Sequence, residues 1–172
     1  SVMRNAPNFK IDLDELGGKL SEKTRAVVIT NLHNPSGTQL TPEEIQGIAC
    51  ATGSVNAVLI VDEVYADFMR PAYAKPAAML APNIISTNSL TKVFGLHALK
   101  CGWMIAQPKL LASIQSEASE GDVGISKLSH AVAAHVLESA EIFDERWRDI
   151  LARNRTILRK HEEAMTKEGL LD

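Results

Sequence analysis

The sequence predicts an α/β fold built on a mostly parallel sheet, and three observations carry that expectation. Four runs are continuously apolar rather than alternating: residues 25–32, 57–61, 83–88 and 102–106. Helical periodicity appears after the first run and again after the fourth, where it persists to the end of the chain. Clusters of Pro, Gly and Asn punctuate the joins. Strands without alternation are buried on both faces, and parallel neighbours need crossovers, which helices supply. The expected architecture is three layers, α/β/α, ending in a long helix.

Each element has a local reason. Asp12-Leu13-Asp14-Glu15 places an acid three residues before Glu15, the spacing that opens a helix, with Leu13, Leu16 and Leu20 on one face. Gly17 and Gly18 keep that helix short. Residues 25–32 carry the β-branched run Val27-Val28-Ile29-Thr30 and end in the breaker string Asn34-Pro35-Ser36-Gly37. Thr41-Pro42-Glu43-Glu44 is a helix start with a capping threonine, proline at the first helical position and a glutamate closing the box. Ile45, Ile48 and Ala49 then face inward. The second strand runs straight into Asp62-Glu63-Val64-Tyr65, and a loop with Pro71, Pro76 and Pro82 precedes the third. Beyond Pro108, helices are expected over 109–119, 126–137 and 141–168. The last carries Phe143, Trp147, Leu151, Leu158 and Met165 near a heptad spacing; Asn154 and His161 interrupt the seam, so it reads as an amphipathic connector rather than a coiled coil. The expected division is residues 1–140, which carry the sheet and its first helices, and a connector helix over 141–172.

Composition narrows the function classes. The chain has 172 residues, 45% hydrophobic and 23% charged, with a net charge of −3. That balance gives no basic footprint for nucleic acid. No apolar run approaches the roughly 20 residues of a membrane helix, and no export signal opens the chain, so the expectation is a cytoplasmic protein. Cys50 and Cys101 stand apart and are expected as free thiols. His130 and His135 do not stack on one helical face, no cluster has metal-ligand spacing, and no metal site is expected.

Ligands of open α/β sheets bind outside the carboxyl ends of the strands. Three such ends carry polar groups: Asn34 after the first, Asp62 and Tyr65 after the second, Ser89 and Lys92 after the third. Each alone has an ordinary explanation, as a turn, a helix cap or a loop lysine. The string Ala57-Val58-Leu59-Ile60-Val61-Asp62-Glu63 also reads as a Walker B strand, but the one Gly-Lys pair, Gly18-Lys19, is followed by Leu20, so no phosphate loop accompanies it. A lysine between two buried strands is instead a candidate imine-forming residue, tuned by partial burial.

Taken in order, Asn34-Pro35-Ser36-Gly37, Asp62-Glu63-Val64-Tyr65 and Ser89-Leu90-Thr91-Lys92 followed by Gly102-Trp103 resemble the class I/II aminotransferases, fold-type I enzymes that use pyridoxal 5'-phosphate (PLP). The likeness runs from about Phe9 through the long helix. It implies a large cofactor-binding domain in which Lys92 forms the imine with the cofactor and moves protons. It also implies that Asp62 pairs with the pyridine nitrogen, Asn34 and Tyr65 donate to the ring's 3'-oxygen, and Ser89 binds the phosphate. The family arginine that forks onto the phosphate corresponds to Lys100, which keeps the charge and loses the bidentate geometry. His97-Ala98 is a further departure.

The resemblance also implies amino-acid and 2-oxo-acid substrates, a homodimer, and a chain corresponding to the family's middle portion, with Lys92 and its partners but without the stacking ring and the carboxylate-binding arginine. Such a portion is expected to be inactive alone. A PLP-dependent lyase or decarboxylase would share every residue named. A non-catalytic binding or regulatory module with the same fold is the alternative from another class, and Lys92 with Asp62 argues against it.

Overall fold

The structure, a computed structural model, describes residues 1–69, 75–118 and 126–170. Pro71 of the expected loop, Ser119 at the end of an expected helix and the final Asp172 lie outside the described residues. Two compact units are distinguished, Ser1–Ser126 and Lys127–Asp172.

The first unit opens with α1 (Leu13–Lys19), where the Asp12 carboxylate accepts the backbone N–H groups of Asp14 and Glu15. The reciprocal half of the expected box is replaced by an ion pair, because Glu15 reaches Lys19 one turn on. Leu16 is buried, while Leu13 stays 45% exposed, so the predicted apolar face narrows to its centre. Residues 8–11 form no strand, and Phe9 takes a positive φ of 50°.

Strands β1 (Ala26–Thr30), β2 (Val58–Asp62) and β3 (Ile84–Ser89) run parallel, and β4 (Gly102–Ile105) is antiparallel to β3. The order β1-β2-β3-β4 follows the sequence. Between β1 and β2 lies α2 (Pro42–Gly53), opened by the predicted capping box: Glu44 N–H donates to Thr41, and Thr41 N–H donates to the Glu44 carboxylate. Ile45, Ile48 and Ala49 of α2 form one buried cluster with Ile29, Leu59, Val61 and Ile84. Each fully buried aliphatic side chain contributes about 1.5–3 kcal/mol.

Side chains alternate along each strand, so Val28, Ile60 and Ile85, paired across the sheet, share the other face. Continuous apolar strands predict that this face is covered too. Central Ile85 is 5% exposed, but Val28 on edge strand β1 is 66% exposed and Met104 on edge strand β4 is 41%. Ile60 on central strand β2 is half-buried, so of the three paired residues only Ile85 is fully covered. After β4 comes α3 (Pro108–Ala118).

The second unit holds α4 (Lys127–Glu138), with Ala133 and Val136 buried, and α5 (Ala140–Lys167). The heptad-like stripe of α5 is buried only at its start: Trp147 is 8% exposed and Leu158 is 64%. No helix among the described residues is long and apolar enough to cross a membrane.

Candidate active site

The parallel register brings the three strand ends to one rim. Thr30 pairs with Asp62, and Asp62 pairs with Thr87, two residues before Ser89. Polar side chains that follow β1, β2 and β3 therefore emerge side by side, the geometry that open α/β sheets use for ligands.

The loop after β1 is fastened from beneath. Asn31 is fully buried; its side-chain oxygen accepts the Leu40 N–H at 2.8 Å and its side-chain nitrogen donates to the Leu40 carbonyl at 3.3 Å. Above that clasp, His33 N–H donates to Thr38 and Gly37 N–H donates to His33, which closes the Asn34-Pro35-Ser36-Gly37 turn. Gly37 sits at φ 71°, a conformation that favours glycine. Asn34 is left exposed at the tip. Next to it, burial and then the charge of Arg4 lower the His33 pKa below the ordinary histidine value; its Nδ1 lies 2.7 Å from the Ser36 hydroxyl.

At the end of β2 the two adjacent acids have different surroundings. Glu63 is buried and accepts the Ala77 N–H at 3.0 Å, while Ser86 accepts the neighbouring Ala78 N–H, so Glu63 ties down the turn at 77–79. Asp62 is half-buried, and one of its oxygens accepts the Val64 N–H at 3.2 Å. An ionised carboxylate has about four acceptor positions. Asp62 thus keeps capacity for a further donor. Tyr65 stacks on Phe68 at 6.4 Å, and both line a groove of about 320 Å³ with Leu32, His33, Asn34, Pro35 and Gly37. Asn34 and Tyr65, separated in sequence, thereby share one cleft.

The loop after β3 is held by its apolar residues. Leu90, Val93 and Phe94 are buried, Leu90 N–H donates to the Cys101 carbonyl, and Leu96 N–H donates back to Leu90. Gly95, at φ 70°, turns the chain. Lys92 is left pointing out, and its ammonium nitrogen lies 5.9 Å from the centre of the Tyr65 ring. Partial burial was the expected means of tuning this lysine. The buried positions of the loop are taken by its neighbours, and Lys92 itself is exposed. The Ser89 hydroxyl accepts the Thr91 N–H at 3.3 Å. Lys100 is exposed, in a left-handed conformation at φ 50°, two residues before Gly102, the β4 partner of Ser89.

The structure thus gathers Asn34, Tyr65 and Lys92 directly and sets Asp62 and Ser89 on the same rim. It adds two residues that the sequence reading passed over, Phe68 and Asp67, and a steric reason for Gly102. Phe68 backs Tyr65. Asp67, 5% exposed, accepts from the side chain of Asn88. Gly102 leaves no room for a side chain, since a Cβ there would lie 2.9 Å from the Asn88 carbonyl oxygen. The string Tyr65-Ala66-Asp67-Phe68 held the signal for the first two. Among the described residues, no group of His, Cys, Asp and Glu is placed to hold a metal ion.

A mostly parallel sheet with a lysine loop and a carboxylate on one rim defines an α/β domain whose polar groups gather at the strand ends. The profile of class I and II aminotransferases matches residues 2–170, and the chain belongs to that family. Histidinol-phosphate aminotransferase 1 of Caulobacter vibrioides is 33% identical over 157 residues, covering 87% of this chain and 44% of that protein. Among solved structures, N-succinyldiaminopimelate aminotransferase from Mycobacterium tuberculosis superposes with a TM-score of 0.76 at 27% identity, over 96% of this chain and 44% of the other. The PLP-bound C–S lyase from Staphylococcus hominis shares the fold, with a TM-score of 0.77 at 23% identity over 94% of this chain and 43% of the other. The chain spans less than half the length of these relatives.

Proposed function

We propose that this chain carries the lysine-bearing part of a PLP-dependent aminotransferase site, which moves an amino group between an amino acid and a 2-oxo acid. The observation that carries the reading is the meeting of Lys92, Tyr65 and Asn34 on the rim where Asp62 ends β2. The donor set fits the cofactor group by group: an amine for an aldehyde, a carboxylate for a ring nitrogen, an amide and a phenol for a ring oxygen, a hydroxyl and an ammonium for a phosphate. When bound, PLP supplies the carbonyl that an amine condenses with and a protonated ring that accepts an electron pair.

The residues then have separate tasks. Lys92 provides the amine and, once released, accepts the α-proton of the amino acid and returns it elsewhere, acting as general base and general acid. Asp62 holds a proton on the ring nitrogen through charge. Asn34 and Tyr65 donate to the 3'-oxygen and favour its anionic form. The Ser89 hydroxyl donates to the phosphate, and Lys100 adds a point charge where a bidentate fork is absent. Family membership supports assembly as a homodimer, and the proposal extends to a cytoplasmic location.

A lyase outcome is the second reading, favoured by the shared fold of the C–S lyase, since the same residues serve either bond cleavage. Incubating the whole protein that carries this chain, with PLP, an amino acid and a 2-oxo acid, separates the two. Exchange of the amino group supports transamination; release of a 2-oxo acid with ammonia and no acceptor supports the lyase. Neither product, in a protein that binds PLP through Lys92, leaves the non-catalytic module as the reading.

A further inference from the structure

We infer that Asp67 is a positioning residue for the phosphate end of the site, acting through Asn88 on Ser89. The inference rests on the cofactor reading above and adds a residue to it. Asp67 lies in the short 3-10 turn Ala66–Met69, facing away from the Asn34–Tyr65 groove that its neighbour Phe68 lines. One of its carboxylate oxygens accepts the Asn88 side-chain N–H at 3.3 Å, and the Asn88 side-chain oxygen accepts the Ser89 backbone N–H at 2.7 Å. The orientation of the amide follows from chemistry: a backbone N–H only donates and a carboxylate only accepts, so the oxygen of Asn88 must face Ser89 and its nitrogen must face Asp67.

Ser89 is constrained from three directions. The relay fixes its backbone nitrogen. Gly102, its β-partner, packs so closely that a Cβ would lie 3.4 Å from the Ser89 Cβ and 2.9 Å from the Asn88 carbonyl oxygen. The Thr91 N–H takes a lone pair of the Ser89 hydroxyl at 3.3 Å. A hydroxyl that already accepts still has its own hydrogen to give. That hydrogen is thereby available for an anionic oxygen above the rim.

Burying a carboxylate costs several kcal/mol before its hydrogen bonds and charge contacts offset that. Asp67 is 5% exposed beside a small cavity of about 180 Å³ that it shares with Asn88, Trp103 and Thr87. An apolar residue at position 67 would release the Asn88 amide to rotate. Asn88 could then no longer hold Ser89.

The test compares PLP with pyridoxal, which has the same aldehyde and no phosphate, in the native chain and in Asp67→Ala, Asp67→Asn and Asn88→Ala, with amide exchange of each protein measured without ligand. Losing one charge-assisted hydrogen bond corresponds to about tenfold. Asp67→Ala and Asn88→Ala are therefore expected to weaken PLP by about tenfold and leave pyridoxal within about twofold. Asp67→Asn keeps an acceptor oxygen and restores most of the preference. In the unliganded chain, Asp67→Ala speeds exchange at the Ser89 amide while Ile84 and Ile85 in the same strand keep their protection. Equal weakening of PLP and pyridoxal, an unchanged ratio, or an unchanged Ser89 exchange rate each overturns the inference. Failure of the native chain to bind either compound through Lys92 sinks the cofactor reading and the phosphate role with it. The exchange rates then decide the Asp67–Asn88–Ser89 linkage on their own.

Discussion

The ammonium nitrogen of Lys92 stands 5.9 Å from the centre of the Tyr65 ring, joining the loop after β3 to the turn after β2. A cation over a ring face at an exposed site is worth about 0.5–1 kcal/mol. Tyr65 has two functions to separate, the ring beneath the lysine and the hydroxyl at the cleft. Tyr65→Phe keeps the ring and is expected to weaken PLP by about tenfold through the lost hydrogen bond. Tyr65→Leu loses both and should be weaker again by a few-fold. Equal affinity of the native and Phe proteins, measured by PLP titration, removes the hydroxyl from the account.

Asp62 is predicted to matter for turnover more than for binding. Asp62→Asn keeps shape and loses the charge that holds the ring-nitrogen proton. By analogy with other removed charge-stabilising groups, amino-group transfer by the whole protein that carries this chain should fall by about 10²–10³-fold. The Lys92-dependent visible absorption should remain, because Lys92 is untouched. A variant with normal turnover would assign Asp62 to the local turn that its oxygen already makes with Val64.

Gly102 is predicted to be intolerant of any side chain. In Gly102→Ala the new Cβ meets the Asn88 carbonyl oxygen at 2.9 Å, and that oxygen belongs to backbone that cannot swing aside. Overpacking of this kind costs about 1–3 kcal/mol. A lowered urea midpoint with an unchanged slope is the expected result. An unchanged midpoint means that β4 shifts freely.

Glu44 makes stability depend on pH. Burial raises its pKa, but hydrogen bonds from Lys10 and from the Thr41 N–H outweigh that and hold it below the ordinary carboxylate value. A depressed folded pKa contributes stability above the unfolded value and loses it as pH falls through the folded one. Between about pH 7 and about pH 3, the native chain should therefore lose more Tm than Glu44→Gln. Identical losses would show that the Glu44 cap and its 2.7 Å bridge to Lys10 add nothing to the acid response.

The legibility of this chain in its sequence divides by the range of the interactions. The α2 capping box, Thr41 to Glu44, lies within one turn and could be read directly. Asp62 and Lys92 stood out because ionisable groups at the ends of apolar strands are unusual. The direction of β4 could not be read, since a four-residue strand carries no directional signal. Nor could the exposure of Val28 and Lys92, which depends on what lies over a sheet edge. The Asp67–Asn88 contact joins residues 21 apart and exists only because β2 and β3 pair in one register.

The most direct test of the account is the visible spectrum of the protein mixed with PLP, beside Lys92→Ala. The account predicts an absorption band above that of free PLP in the native protein, removed by borohydride into a covalent adduct on Lys92, and absent from the variant. An identical spectrum in both proteins, or an adduct mapped to another lysine, would contradict it.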